Sequence, residues 1–334
     1  MINGPLHPNE IARLLAEQGG WRDVDVPFKV TGPLGARGFS RIFRGDGGIF
    51  SCPVAIKQFL SDPSGASPAE SARTYFQGLQ WMAEITAQRD LRAAEPYALL
   101  ESQGIVVTSW IEGPTLARSL SAGSPDHGRA LSREAGLWLA RLHHESGVEY
   151  RSPDVADMLA VLAEKTDETD ALTRRAFSLL HSYAPLLAMQ PIPWSRHYGD
   201  FKPANLIVRD GRLTAIDIEL LFAAPTVRDA AHFLNHLQLA FYSPGVLARW
   251  RDAPKLTELF CRGYSDAFGE PLPHRLLQWQ RLYNAMWHMT RHGEWSRSPM
   301  AWPSRLIQRH MVRTLCNTLA DVGNDRVAHA FVGC

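Results

Sequence analysis

Short apolar stretches separated by breakers dominate the first third of the chain. The segments DVPFKVT, FSRIFRG, CPVAIKQF and SQGIVVTSW are rich in β-branched and aromatic residues, and Gly, Pro, Asp or Ser lies between them. This pattern predicts the strands of an antiparallel sheet. A helix-forming stretch, about 68–89, interrupts them, and Asn9 before IARLLAE indicates an N-capped helix ahead of them. We therefore predict a small, β-rich N-terminal lobe.

The remaining two thirds have a helical pattern. Residues 154–187 are helix-forming and almost free of breakers. Two other stretches repeat apolar residues at i, i+3, i+4 and i+7, which is one face of a helix. These residues are Ala135, Trp138, Leu139 and Leu142, and Trp279, Leu282, Tyr283 and Met286. The pattern predicts an α+β, bilobal chain with an N-terminal lobe (1–108), a hinge (109–113) and a larger, mainly helical C-terminal lobe (114–334).

One segment with a β-strand pattern interrupts the helical part. LIVR, then Asp210-Gly211, then RLTAI predicts a hairpin, because Asp-Gly is a preferred turn between paired strands. Asp200 and Asn205 precede the hairpin and Asp217 follows it. Strand pairing is expected to bring Asn205 and Asp217 together as oxygen ligands suited to Mg²⁺. Asp200 is then expected to accept a proton from an attacking hydroxyl, as phosphoryl transfer requires.

Each of these polar residues alone also suits a turn or a strand end. The joint spacing, D-x-x-x-x-N, then a hairpin, then D-x-E, is more specific than any one of them. In the β-rich lobe, the loop from Gly32 through Gly35 and Gly38 to Ser40 is expected to place backbone N–H groups over phosphates. Lys57 in the strand VAIK either extends to the surface or faces an anion in a cleft. The neighbouring motifs favour the anion.

These motifs resemble the protein-kinase-like superfamily, and within it the aminoglycoside phosphotransferase and choline kinase group. The resemblance runs from about 32 to 232. GARGFS and VAIK resemble its nucleotide loop and phosphate lysine, and WIEGPTL resembles its hinge. GLWLARLH resembles the helix before its catalytic segment, YGDFKPANLIV its catalytic loop, and AIDIE its metal-binding segment. The resemblance implies the kinase-like fold, ATP or GTP as phosphate donor, and Mg²⁺.

The resemblance also implies roles for single residues. Asp200 is the catalytic base, and Lys202 meets the transferred phosphate as in protein kinases. The implied nucleotide-binding positions are Gly35, Gly38, Ser40, Lys57, Ser109 and Ile111, the last two through backbone groups facing adenine. The implied metal positions are Asn205, Asp217 and Glu219, with Glu219 near the metal or behind its ligands. Asp229 is implied to tie the catalytic loop to the following helix.

Two departures from the family pattern stand out. The histidine that usually lies two residues before the catalytic Asp is replaced by Tyr198, and the histidine moves to His197. The small-lobe helix also lacks the Glu that should pair with Lys57, because Tyr75 or Phe76 occupies its place. Three explanations stay open: a shifted alignment, another carboxylate as partner, or an impaired site. Glu70 and Glu84 are the nearest carboxylates in sequence.

Three functions are compatible with these motifs. The first is a small-molecule kinase that phosphorylates a hydroxyl of a metabolite or antibiotic. The second is a protein Ser/Thr kinase, which is disfavoured because only twelve residues separate Asp217 from Asp229 and no Ala-Pro-Glu follows. The third is a non-catalytic nucleotide-binding module, suggested by the missing Glu. A complete set of Lys57, Asp200, Asn205 and Asp217 favours catalysis.

Charge and composition disfavour several classes of binding partner. The net charge of +1 argues against nucleic-acid binding, and no apolar run is long enough to span a membrane. Four scattered cysteines indicate reduced thiols in a cytoplasmic protein. From residue 230 to the end, twelve basic residues exceed seven acidic ones, which disfavours a polycationic aminoglycoside as acceptor.

Aromatic residues and histidines are also frequent in the C-terminal lobe, and each is either structural or part of a ligand site. The aromatic residues are expected to pack in the core rather than to form a ligand wall, although His288 and its neighbours could supply polar groups to such a pocket. They are Trp279, Tyr283, Trp287, Trp295 and Trp302. The histidines, including the His143-His144 pair, show no metal spacing and are interpreted as structural or surface residues.

Overall fold

The computed structural model describes residues 5–18, 28–37, 39–48, 50–61, 66–87, 91–166, 170–219, 222–241, 252–295 and 301–323. The described residues fall into two compact units. The first comprises the described parts of Met1–Gly113 and Thr214–Leu221, and the second those of Pro114–Leu213 and Phe222–Cys334. Among the described residues, no helix is both long and apolar enough to cross a membrane. The α+β class and the division into a β-rich and a mainly helical part agree with the sequence-based prediction.

The first unit is built on a five-stranded antiparallel sheet with strand order β1-β2-β3-β5-β4. The strands are β1 (Lys29–Arg37), β2 (Ser40–Asp46), β3 (Val54–Phe59), β4 (Pro96–Leu100) and β5 (Ile105–Ser109). Two helices accompany them, α1 (Pro8–Gln18) and α2 (Pro68–Thr86). Side chains from α1 and from strands β2, β3 and β5 share one buried apolar cluster, so the helix and the sheet form a common core.

Three details of this unit differ from the prediction. Helix α1 begins at Pro8, so Asn9 is its second residue and not its cap. Strand β4 was not predicted, because PYALL has no β-branched residue and its backbone partners lie in β5. The glycine-rich stretch is largely strand: β1 continues to Arg37 with a register irregularity between Thr31 and Gly35.

The second unit is mainly helical. Its helices are α3 (Leu116–Ala122), α4 (Pro125–Glu145), α5 (Val155–Glu164), α6 (Ala171–Ala188), α7 (Val227–Phe241), α8 (Ala253–Phe268), α9 (His274–Trp295) and α10 (Ala301–Gly323). A three-stranded sheet of order β10-β7-β6 accompanies them. Its strands are β6 (Glu149–Arg151), β7 (Ile192–Arg196) and β10 (Ala223–Pro225). The predicted apolar faces are confirmed: Ala135, Trp138, Leu139 and Leu142 are buried, and of the second set only Tyr283 is half-buried.

Helices α4 and α8 pack closely because two glycines lie at their crossing. A Cβ added at Gly136 would overlap the carbonyl oxygen of Phe260, and one added at Gly263 would overlap that of Arg133. The Ser132 hydroxyl donates to the carbonyl of Leu256, 2.7 Å away, and adds a polar tie between the two helices. Such an approach of two backbones excludes any side chain at either glycine.

The predicted hairpin is present as β8 (Leu206–Arg209) and β9 (Arg212–Ala215). Asp210 and Gly211 both have positive φ, 51° and 73°, which fits the Asp-Gly turn. The predicted C-terminal lobe includes all of 114–334, but in the structure Thr214–Leu221 belongs to the first unit. The reason is backbone pairing: Ala215 N–H donates to the Arg92 carbonyl and Ala94 N–H donates to the Ala215 carbonyl, both at 2.9 Å.

Candidate active site

In the second unit, Asp200 lies at the centre of a polar cluster. The Asn205 amide donates to both the Asp200 backbone oxygen and Oδ2, at 3.0 Å each. Lys202 forms an ion pair with Oδ2, and His232 Nε2 lies 3.0 Å from Oδ1. Burial alone would raise the pKa of Asp200, but His232 and Lys202 hold the pKa of this carboxyl below its usual range. Asp200 is therefore ionised, fixed in orientation, and able to accept a proton.

Asn205 is oriented by the same contacts. It ends a short 3₁₀ turn (Pro203–Asn205), is buried, and its backbone N–H donates to the Lys202 carbonyl at 2.9 Å. Because the side-chain NH₂ makes both bonds to Asp200, the amide oxygen Oδ1 is the atom that a cation would meet. The structure thus brings together three of the predicted residues, Asp200, Lys202 and Asn205.

Asp229 fixes the backbone that carries Asp200. Its carboxylate accepts the Tyr198 N–H at 2.8 Å and the Gly199 N–H at 3.4 Å. His197 Nδ1 lies 2.6 Å from Oδ1, and His143 Nε2 lies 3.2 Å from Oδ2. Burial opposes the charge, yet the two histidines hold the pKa of Asp229 well below its usual range. Asp229 thus ties the segment before Asp200 to helix α7, and His143 is buried between Asp229 and Tyr264.

Tyr198 fills the place of the usual histidine with an aromatic ring. It is fully buried and lies 5.9 Å from the Trp138 ring and 5.2 Å from the Phe201 ring, centroid to centroid. Gly199, between Tyr198 and Asp200, has a φ of 98°, which a residue with a side chain rarely adopts. The Tyr198 ring therefore packs in the core, and the backbone on either side of it is anchored through Asp229.

In the first unit, Lys57 pairs with Asp217. Its ammonium contacts Asp217 Oδ1, and lies 4.2 Å from the centroid of the Tyr75 ring and 4.9 Å from that of Phe59. Burial beside Asp217 raises the pKa of Tyr75 well above its ordinary value, so this ring stays neutral. Asp217 adopts a positive φ of 62°. In this structure the partner of Lys57 is therefore a carboxylate outside helix α2, and the Tyr75 ring of that helix lies against the ammonium.

The other carboxylates considered for Lys57 are engaged elsewhere or exposed. Glu70 accepts from the N–H and hydroxyl of Ser67, at 2.9 and 2.8 Å, in the capping box that begins α2. Glu84 and Glu219 are exposed. Glu70 therefore serves the helix terminus. The proximity of Glu219 to a metal remains a prediction.

The structure locates some of the predicted nucleotide-binding residues, whose role in binding nucleotide stays a prediction. Gly35 lies within strand β1 opposite Ile42, and Ser40 begins strand β2, so neither is in the open loop that the sequence suggested. Gly38 lies outside the described residues. The Ser109 N–H donates to the Glu95 carbonyl at 2.9 Å, so this donor is already engaged. Adenine contact through Ile111 remains a prediction.

Three histidines of the second unit, which the sequence did not group together, lie close to one another. One ring nitrogen from each of His232, His236 and His288 lies within 4.8 Å of the others. Burial, with His232, His288 and Lys202 nearby, lowers the pKa of His236 to about 2. The sequence did carry one signal, the i, i+4 spacing of His232 and His236, but the third member comes from a different helix.

The aromatic residues of α9 are only partly core. Trp279 is buried and its indole N–H donates to the Leu180 carbonyl at 2.9 Å, as predicted for core packing. Trp287 is half-buried, with the Lys165 ammonium 4.9 Å from its ring centroid. The side chains of Trp295 and Trp302 lie outside the described residues.

The sequence pattern of the phosphotransferase enzyme family APH matches residues 39–277, well over half of the chain. The chain therefore belongs to this phosphotransferase family. The match includes Lys57, Asp200, Asn205, Asp217 and Asp229. The comparison with curated proteins finds no significant match.

Solved kinases share the fold. The amicoumacin kinase hAmiN, solved with AMP-PNP, Ca²⁺ and Ami, is 12% identical with a TM-score of 0.61, covering 94% of this chain and 96% of that chain. Choline kinase LicA from Streptococcus pneumoniae is 16% identical with a TM-score of 0.58, covering 94% and 98%. A choline kinase from Cryptosporidium parvum Iowa II is 12% identical with a TM-score of 0.61, covering 97% and 99%. These similarities establish the kinase-like fold.

Proposed function

We propose that this chain transfers the γ-phosphoryl group of ATP, or of GTP, to a hydroxyl group of a small molecule, with Mg²⁺ as the metal. The observation that carries the proposal is the state of Asp200. Its carboxylate is half-buried and ionised, and it is held in place by Asn205, Lys202 and His232. A protein that only binds nucleotide has no use for a carboxylate prepared in this way, whereas a kinase needs one to receive the acceptor's proton.

The remaining roles follow from charge and ligand chemistry. Asp200 accepts the proton of the acceptor hydroxyl as the new O–P bond forms and the bond to the nucleotide diphosphate breaks. Lys202, beside it, neutralises charge on the transferred group. Lys57 binds the nucleotide phosphates. The Asn205 amide oxygen in the second unit and the Asp217 carboxylate in the first are each of the ligand type that Mg²⁺ prefers, and Mg²⁺ would supply charge neutralisation on the phosphates.

The two alternative functions, a pseudokinase and a protein kinase, are each less well supported by the residues present. A pseudokinase is favoured by the absence of the family's Glu from helix α2, where Tyr75 or Phe76 takes its place. However, Lys57 is paired with Asp217, so the lysine is positioned without that Glu. A protein kinase needs a long segment after the metal-binding Asp to hold a peptide, and here only twelve residues separate Asp217 from Asp229. Both observations support a small-molecule kinase.

The acceptor is proposed to be neutral or anionic. Structural neighbours include kinases of choline, glucosamine and amicoumacin and a macrolide 2'-phosphotransferase, so the fold accommodates acceptors of several kinds. The excess of basic residues after residue 230 is the wrong sign for a polycationic aminoglycoside. Hydroxyl-bearing metabolites and macrolide-like antibiotics are therefore the first compounds to screen.

Two measurements test the proposal. Thermal stability with ATP, GTP and a non-hydrolysable analogue, each with and without Mg²⁺, should show metal-dependent stabilisation. Turnover on the best acceptor should then fall about 10²–10⁴-fold in Asp200→Asn, since this is the contribution of a positioned base. Asp210→Asn is the matched control, because Asp210 lies in the exposed hairpin turn and Asn tolerates its positive φ.

The outcomes separate the alternatives. Nucleotide binding without turnover on any acceptor, together with unchanged binding in Asp200→Asn, would favour the pseudokinase. Turnover of a peptide but of no small molecule would favour the protein kinase. Full activity in Asp200→Asn would remove Asp200 from the role of base.

A further inference from the structure

The three-histidine cluster is built from two helices of the second unit. His232 and His236 are four residues apart on α7 and therefore lie on one face of it, and His288 lies on α9. The ring centroids are 4.5 Å apart for His232 and His236, 5.5 Å for His232 and His288, and 5.7 Å for His236 and His288. All three side chains are half-buried. Three nitrogen donors thus converge on one small volume.

Helices α7 and α9 are fixed to each other beside this cluster. Asn235 Nδ2 donates to the Arg281 carbonyl at 2.8 Å, and Arg281 Nε donates to Asn235 Oδ1 at 3.1 Å. Arg281 Nη2 also donates to Gln238 Oε1 at 2.7 Å. Asn235 and Arg281 are buried, so these bonds hold the two helices in one register. Donors carried by helices that are locked together are preorganised, which favours binding of a ligand between them.

The contact with Asp200 sets the donor state of His232. An ionised carboxylate can only accept, so the ring nitrogen 3.0 Å from Asp200 Oδ1, Nε2, carries the hydrogen. In the neutral ring the lone pair is then on Nδ1. A histidine that donates one N–H to a carboxylate and offers its other nitrogen is the usual arrangement behind metal-binding histidines, because the carboxylate fixes the tautomer and raises the basicity of the ligand.

One carboxylate lies beside the histidine cluster. The Asp200 carboxylate, in contact with both His232 and Lys202, supplies negative charge beside the cluster.

We propose that His232, His236 and His288 bind one divalent transition-metal ion of the zinc, cobalt, nickel and copper class. Imidazole nitrogen suits these ions, whereas Mg²⁺ prefers oxygen ligands, so the site is separate from the one proposed for the nucleotide's metal. Three histidines leave one position of a tetrahedral ion open. With metal–nitrogen bonds of about 2.0–2.1 Å, the nitrogens need to lie about 3.4 Å apart. In the structure one ring nitrogen from each histidine lies within 4.8 Å of the others, so metal binding would draw the three rings closer together.

The bound ion is expected to act on Asp200 through His232. With Nδ1 engaged by the metal, His232 is held as the Nε2–H donor and keeps its hydrogen bond to Oδ1. The metal therefore positions the carboxylate rather than touching the reacting atoms. This coupling rests on the proposed function, whereas metal binding itself does not.

Metal titration of the full-length protein tests the site. The chain is prepared without an affinity tag, stripped of metal, and titrated with Co²⁺ by visible absorption and with Zn²⁺ by calorimetry, without nucleotide. One ion per chain and a spectrum without a thiolate charge-transfer band are expected. His288→Gln and His236→Gln should each weaken binding at least about tenfold. His144→Gln, at a side chain 67% exposed, should bind as the wild type does.

Several results would overturn the proposal. They are the absence of stoichiometric binding far above micromolar metal, equal affinity in His288→Gln and wild type, and a thiolate band that locates the ion at a cysteine. Circular dichroism of each variant shows that it is folded, so that lost binding is attributable to the lost ligand. Because no readout depends on turnover, failure of this site and failure of the proposed kinase activity are distinguishable.

Discussion

Removal of the Asp229 carboxylate tests how the catalytic loop is held. In Asp229→Ala, the N–H groups of Tyr198 and Gly199 lose their acceptor, and His197 and His143 lose the carboxylate between them. Asp229 is only 1% exposed, so water does not replace these contacts. Removing one partner of a buried charged network costs about 3–5 kcal/mol. That is a large share of a typical folding free energy of about 5–15 kcal/mol.

Two further variants divide this cost into its parts. Asp229→Asn keeps one acceptor oxygen and loses the charge, so the expected loss is smaller, about 1–3 kcal/mol. Asp126→Ala removes a carboxylate whose side chain is 90% exposed and is the control for the loss of an acidic side chain alone. Its ion pair with Arg129 is a surface contact worth at most about 1 kcal/mol.

Urea unfolding followed by tryptophan fluorescence provides the assay. Trp138, one of ten tryptophans in the chain, stacks on Phe201 at 5.7 Å and contacts Tyr198, so the total emission includes a reporter on the segment that Asp229 anchors. The midpoint of the transition seen by this probe should fall in the order Asp126→Ala, Asp229→Asn, Asp229→Ala. If Asp229→Ala lies within about 1 kcal/mol of the control, the carboxylate does not hold the loop and the reasoning fails.

Three other perturbations have clear expected outcomes. Asn tolerates the positive φ of Asp217, so Asp217→Asn should fold normally. Its Mg²⁺-dependent affinity for nucleotide, measured by calorimetry, should be at least about tenfold weaker, and unchanged affinity would exclude Asp217 as a metal ligand. Gly136→Ala should cost at least about 2 kcal/mol in urea because its Cβ overlaps α8, whereas Gly128→Ala, whose Cβ meets Leu120 at 3.4 Å, should be neutral or stabilising. Arg309 lowers the pKa of Asp170 to about 2, so the stabilisation from this pair is present above about pH 4 and is lost as the pH falls toward 2. The urea midpoints of Arg309→Gln and wild type should therefore differ at pH 7 and converge in acid, and a constant difference would contradict this assignment.

Local signals predicted the elements that local physics determines. The β8–β9 hairpin follows from Asp210-Gly211, whose φ values the turn requires, and the buried face of α4 follows from its apolar period. Strand β4 was missed because PYALL becomes a strand by pairing with β5, which sequence pattern alone does not reveal. The start of α1 was predicted two residues too late: the helix begins at Pro8, and the His7 N–H before it donates to Glu10 Oε2, 2.8 Å away.

In the candidate site, too, the features that depend on local sequence could be predicted and those that depend on long-range packing could not. Asp200, Lys202 and Asn205 are close in sequence, so their cluster could be predicted from spacing and from the family resemblance. The partner of Lys57 could not, because Asp217 is 160 residues away and the resemblance pointed to a helix Glu that is absent. The histidine cluster required the packing of α7 on α9, which no short motif encodes.

The Lys57–Asp217 pair has a consequence for the order in which ligands bind. Lys57 lies against the faces of Tyr75 and Phe59, and its side chain is only 13% exposed, so its charge is poorly solvated and depends on the carboxylate. If Asp217 binds Mg²⁺, as proposed, the Lys57 ammonium would lose its counterion, which would oppose binding of the metal alone. A nucleotide phosphate would supply a new anion to Lys57, so each ligand would lower the free-energy cost of binding the other. We therefore expect Mg²⁺ alone to leave the melting temperature unchanged, free nucleotide to raise it slightly, and the two together to raise it by more than the sum. Lys57→Met should abolish this synergy. Additive shifts in the wild type would show that the pair does not couple the two ligands.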